Sequence, residues 1–221
     1  MKDFPMFTTD YGVASLILKE VPYRGVAFVH IRDVQADGFA EHLKECVSFC
    51  RMVGAERILA KGHEDLEQYP LHSIVYTMSM PLEPREPEAC LWPVTEETVA
   101  QWREIYNKGM RPFENHATMT AHDEKKILAS GGAYFVHRDG KLLGIGWMEG
   151  KELLALVSCV PGMGETVART LFTTVSDDRI TLTVVNTNRR AIRLYEKMGF
   201  NKTGEISRWY RVWEDDHGAE I

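Results

Sequence analysis

The four cysteines, Cys46, Cys50, Cys90 and Cys159, form no CxxC pair and no zinc-finger spacing. That excludes a dithiol redox motif and a cysteine-built zinc site. No run approaches 18 apolar residues, so no membrane-spanning helix is expected. The start, MKDFPMFTTDYG, lacks the apolar segment of an export signal. Free thiols and no export signal point to a cytoplasmic protein. Positive charge is scarce too: 26 Lys and Arg stand against 32 Asp and Glu, a net charge of −6. Nucleic-acid binding needs clustered Lys and Arg, so neither nucleic acid nor a membrane is an expected partner. No Gly-Lys-Ser/Thr follows a glycine-rich stretch, which excludes a Walker loop. His63, His72, His116, His122 and His137 are scattered and suggest no triad, and His217 sits in an acidic C-terminal tail.

What remains is an ordinary globular composition, 44% hydrophobic and 26% charged over 221 residues. That length suits one domain or two small ones. Strands are predicted over 14–21 and 26–33, around a turn at Pro22-Tyr23-Arg24-Gly25. A helix follows over about 37–53, with Phe39, Leu43, Cys46, Val47 and Cys50 at helical spacing and Gly54 at its end. His42, Cys46 and Cys50 share one face. Buried packing explains that face better than a metal site. Strands are predicted over 56–61 and 72–80. Pro81, Pro84, Pro87 and Pro93 then interrupt the chain, because proline withholds a donor and restricts its neighbour. The expected organisation is an N-terminal α+β domain (1–80), a linker (81–90) and a second domain (91–221).

In the second domain Thr95 is the expected cap of a helix carrying Val99, Trp102, Ile105 and Tyr106 on one face. A second helix spans about 121–129. A three-stranded meander follows, 133–137, 142–149 and 152–160, its first turn marked by Asp139-Gly140. Val167, Leu171 and Val175 imply another helix, and 179–185 another strand. This order means an α/β or α+β fold. Trp92, Trp102, Trp147, Tyr106 and Phe113 are candidate acceptor-pocket aromatics, though core packing also accounts for them.

The chemistry lies in Asn188-Arg-Arg-Ala-Ile-Arg-Leu-Tyr195-Glu-Lys-Met-Gly199-Phe200. Locally this reads as a short helix capped by Asn188 and ended by Gly199, leading into final strands over 200–213. Taken alone, Tyr195 is a packed helix tyrosine. The pattern N-x-x-A-x-x-L-Y-E-K-x-G-F, however, resembles the closing motif of the GCN5-related N-acetyltransferases (GNATs), over roughly 91–213. The resemblance implies a mixed, mostly antiparallel sheet flanked by helices, the acyl-CoA N-acyltransferase fold, closing with a last hairpin. It implies acetyl-CoA as co-substrate, no metal, and a primary amine of a small molecule or peptide as acceptor. It casts Tyr195 as the acid that protonates the departing thiolate, and Asn188 as a contact to the pantetheine arm.

The family's pyrophosphate loop finds its counterpart in Val157-Ser158-Cys159-Val-Pro-Gly162-Met163-Gly164-Glu165-Thr166. Gly162 and Gly164 suit a bend whose N–H groups face phosphate oxygens at a helix start. Glu165 and the absent Gln/Arg depart from the family pattern. The resemblance also implies that the strand over 153–160 parts from its neighbour, offering backbone groups to the cofactor. Glu149, with Glu152 beside it, is the candidate general base. Residues 13–80 echo the latter half of the same fold in element order. They read either as a degenerate half-domain or as an unrelated extension, and a homodimer is compatible with the sequence. The rival function is a non-catalytic acyl-CoA-binding or regulatory module.

Overall fold

In the computed structural model, residues 5–83, 86–113 and 116–215 are described. Pro84 and Arg85 of the expected linker and His217 of the tail lie outside them. The chain divides into two compact units. One comprises residues up to Ile74 together with those from Ser207 onward; the other is Val75–Ile206.

The first unit opens with β1 (Met6–Thr9) and β2 (Gly12–Ile17), a hairpin. One helical turn, α1 (Val21–Arg24), stands where a plain turn was expected. Then come β3 (Val26–Val34), α2 (Phe39–Met52), β4 (Arg57–Lys61) and a 3₁₀ turn at Glu64–Gln68. β3 and β4 are parallel, and β1–β2–β3 antiparallel. Phe39, His42, Leu43, Cys46 and Cys50 form the buried stripe of α2. His42 Nδ1 is 2.8 Å from Thr9 Oγ1. Burial pushes the Cys46 and Cys50 thiols up to about 12. This stripe is core.

β5 (Leu71–Pro81) passes from the first unit into the second. There follow β6 (Cys90–Pro93), α3 (Val99–Met110), α4 (Ala121–Ser130), β7 (Ala133–Arg138), β8 (Lys141–Glu149), β9 (Glu152–Ser158), α5 (Gly164–Phe172), β10 (Arg179–Val185), α6 (Arg189–Met198) and β11 (Asn201–Glu214). β6 was not expected; Pro93 is tolerated there because the strand lies at the sheet edge. α3 is capped at Thr98 rather than Thr95, since Thr95–Thr98 forms its own turn, with Val99 N–H donating to Thr95 O. Asp139 and Gly140 both have positive φ, 52° and 74°, the geometry of a tight hairpin turn.

Two expectations at the chain's end are corrected. The stretch 200–213 is one strand, β11, not a hairpin. It has no Asn-Gly or Asp-Gly turn, and Gly204 is absent from the positive-φ glycines. The strand antiparallel to β10 is instead β5, along all seven residues from Arg179↔Pro81 to Val185↔Val75. The domain boundary expected at 81–90 therefore moves: residues 75–81 belong to the second unit, and those from Ser207 onward to the first. Met78 and Met80 enter the second unit's core with Leu171, Leu182 and Phe200, so this strand is held by side chains as well as by its ladder.

Candidate functional site: a groove where two parallel strands part

β9 and β10 pair in parallel only at Thr181↔Glu152 and Leu182↔Leu153. Beyond Leu153 the ladder stops. The register of β9 on β8 also shifts there, from Met148↔Leu153 to Trp147↔Ala155, so Leu154 is an extra residue. Such a bulge bends its strand. On its other edge β9 stays bound to β8: Cys159 N–H donates to Leu143 O at 2.8 Å. Strand alternation then turns the backbone groups of Leu156 and Ser158 toward the gap. The parting of the strands expected from the resemblance is present.

A groove of ≈ 490 Å³ occupies the gap. β9 supplies 153–158, the loop and α5 supply Gly162, Gly164 and Glu165, and α6 supplies Arg190, Leu194, Tyr195 and Lys197, with Asn188 at its cap. Asn188 Oδ1 accepts from Ala191 N–H, and Gly199 closes α6 at φ 102°. Tyr195 is 8% exposed, its ring 5.5 Å from that of Phe200. Among the described residues its hydroxyl has no hydrogen-bond partner. Burial pushes the phenol up from its ordinary value, so it stays protonated.

Gly162 takes φ 84°, which a side chain would resist. The first N–H groups of α5 have no intrahelical acceptor. Nor do those of Gly164, Glu165 and Thr166 find another protein partner among the described residues. Glu165, the departure from the family pattern, is neutralised. Its Oε2 accepts from Lys197 Nζ at 2.7 Å, and its Oε1 from Arg169 at 2.8 Å and 3.0 Å. Chiefly the Lys197 bond, then Arg169, holds its carboxyl below the usual range. Of the charged residues that line the groove, Arg190 and Lys197 outnumber Glu165, which suits a phosphate.

The structure thus brings Val157, Ser158, Gly162, Gly164, Glu165, Asn188 and Tyr195 together on one groove. Three others point elsewhere. Cys159 is exposed on the loop, Met163 packs against the core, and Thr166 Oγ1 donates to Glu88 at 3.0 Å. Ser158 Oγ donates to Val160 O at 2.6 Å, which braces the turn. Glu149 stands apart. It pairs with Glu152 where β9 begins and is exposed. Ser158 lies roughly 20 Å further along the strand at ~3.3 Å per residue. Neither glutamate lines the groove. Of the candidate aromatics, Trp102, Tyr106 and Trp147 are core, Trp92 is exposed, and Phe113 lines the groove with His116. Arg190, Lys197 and His116 escaped sequence reasoning. Arg190 and Lys197 share a face of α6 with Leu194 at helical spacing, the one signal that could have found them.

This fold, a mixed sheet in which β9 and β10 part beside a glycine-led helix, is that of the GCN5-related N-acetyltransferases. A family model described as FR47-like protein matches residues 160–212. Among solved structures, a functionally unknown conserved protein from Staphylococcus epidermidis is similar at TM-score 0.60 and 9% identity, covering 94% of each chain. A GCN5-related N-acetyltransferase from Sphaerobacter thermophilus aligns at TM-score 0.56 and 11% identity, over 92% of this chain and 77% of that one. A tandem GNAT protein from the clavulanic acid biosynthesis pathway aligns at TM-score 0.57 and 12% identity, over 93% of this chain and 80% of the other. No curated protein matches the sequence. The family model falls on the stretch that carries Gly162, Gly164, Asn188 and Tyr195, and the solved structures share the fold. Among the described residues no helix is long and apolar enough to cross a membrane.

Proposed function

We propose that the Val75–Ile206 unit is an acetyl-CoA-dependent N-acetyltransferase that acts on a primary amine of a small molecule or peptide. The observation that carries this reading is one groove uniting the parted strands, the unsatisfied start of α5 and Tyr195. Acetyl-CoA supplies an acyl group activated as a thioester. The N–H groups opening α5, with Lys197 and Arg190, would hold its phosphates. The Leu156 and Ser158 backbone groups would hold the pantetheine amides, and a free N–H there would polarise the thioester carbonyl. The neutral amine attacks the acyl carbon, the C–N bond forms, the C–S bond breaks, and Tyr195 gives its proton to the sulfur. A phenol raised by burial remains a competent donor because the sulfur beside it is desolvated by the same walls.

Direct transfer is supported by what lines the groove. Ser158 spends its hydroxyl on Val160, and Cys159 is absent from the lining residues. Glu149 and Glu152 are not among the residues that line the groove, so the acceptor's proton is assigned to water. The rival reading, a non-catalytic acyl-CoA-binding module, drew on Glu165 and the altered loop; the pairing of Glu165 with Lys197 and Arg169 removes the first of these.

Calorimetry with acetyl-CoA, followed by thiol-release assays over an amine panel, tests the proposal. Binding with amine-dependent release is expected. Binding without release would favour the rival, and no binding would overturn both.

A further inference from the structure

The first unit carries a second arrangement of charge that acetyl transfer does not use. Ala27, Val29 and Ile31 of β3, with Ile58 and Ala60 of β4, pack in the core that includes α2. Alternation puts His30, Arg32 and Lys61 on the opposite face. His30 and Lys61 are direct register partners. Both stand toward the carboxyl ends of the two parallel strands that α2 connects, where open α/β sheets bind ligands. Gly62 follows β4 there, with φ 101°, and a side chain on it would strike Ile31 O and the His30 ring.

Around His30 the charge is of one sign. Lys61 Nζ lies over the Trp209 ring at 4.9 Å. Arg32 Nε donates to Ser15 Oγ at 3.0 Å. Among the described residues no carboxylate pairs with either. Burial, then Lys61 and Arg32, lower His30 to about 4. Burial and Arg32 likewise lower Lys61. Lys61, half-buried without a counter-charge, is costly to hold, and in a chain of net charge −6 carboxylates to pair it are plentiful.

We propose that the carboxyl ends of β3 and β4 form an oxyanion-binding site, in which Lys61, Arg32 and the protonated imidazole of His30 hold a phosphate or carboxylate group. The charged and titratable groups facing His30 are Lys61 on β4 and Arg32 on its own strand, with Ser15 of β2 and Trp209 of β11 completing the surround. An anion there reverses the field on His30, so proton and anion bind together and affinity rises as pH falls.

The test follows the His30 Cε1–H resonance by NMR against pH, assigned with His30→Gln. Titrations in inorganic phosphate and in acetate are compared with chloride at equal ionic strength. In chloride His30 should titrate well below an ordinary histidine. A saturating oxyanion should raise its midpoint by about one pH unit or more. Which salt acts separates a phosphate source from a carboxylate one. Arg32→Gln, at an exposed position, and Lys61→Met should each weaken the effect about ten-fold in anion concentration. A midpoint unmoved by both salts, or moved equally in both variants, overturns the proposal.

Discussion

Tyr195 and Glu165 show how position changes the meaning of an ordinary residue. The Tyr195 hydroxyl makes no protein hydrogen bond among the described residues, so its loss should leave folding intact. Tyr195→Phe is expected to keep its melting temperature and acetyl-CoA affinity while turnover falls by about 100-fold or more, the usual worth of a positioned acid. Unchanged turnover would remove Tyr195 from the mechanism. Glu165 has its carboxyl depressed below 4.5 by Lys197 and Arg169. A depressed carboxyl contributes stability above its unfolded value and loses it as pH falls through the folded one. The native protein should therefore lose thermal stability more steeply than Glu165→Gln below about pH 4.5, as melting curves across acid pH would show. The same variant frees two cations beside the start of α5. It should bind acetyl-CoA more tightly, with a steeper salt dependence.

At the scale of elements, the groove depends on how closely α3 sits against β9. A methyl on Gly109 would lie 2.5 Å from Val157 Cγ1 and 3.2 Å from its Cβ. Alanine favours a helix over glycine by about 1 kcal/mol. The β-branched Val157 cannot turn aside, however, and overpacking costs about 1–3 kcal/mol. The clash should win: Gly109→Ala is expected to lower urea stability by about 1 kcal/mol and to weaken acetyl-CoA binding by displacing β9. Adding Val157→Ala should recover much of both. If Gly109→Ala alone proves stabilising, the packing account of this contact is wrong. The motif helix behaves differently. Asn188 and Gly199 set the ends of α6 by local chemistry, while burial of Ile192, Tyr195 and Met198 holds it in place.

At the scale of the molecule, the second unit does not coincide with the domain expected over 91–221. Residues 75–81 precede the proline-rich segment yet form the strand beside β10. A fragment comprising residues 90–221 leaves that edge unpaired and removes Met78 and Met80 from the core. It should aggregate or show no cooperative unfolding, by circular dichroism and size-exclusion chromatography. Adding a peptide of residues 71–89 should restore a folded species. A stable, monomeric 90–221 fragment would show that β5 is dispensable. In the first unit, the oxyanion site offers one use for the β3–α2–β4 arrangement.

Local patterns were enough to place most helices and strands, because hydrophobic period, capping residues and turn glycines act over a few positions. Asn188, Tyr195 and Gly199 are such a pattern, and so is the Asp139-Gly140 turn. The glycine bend before α5 was legible for the same reason. Pairing across long separations was not. That β5 rather than a terminal hairpin lies against β10, that β9 leaves β10 after Leu153, and that Lys197 answers Glu165 across 32 residues all depend on tertiary packing. So does the place of Glu149: spacing made it a candidate, and only the fold put it outside the groove lining.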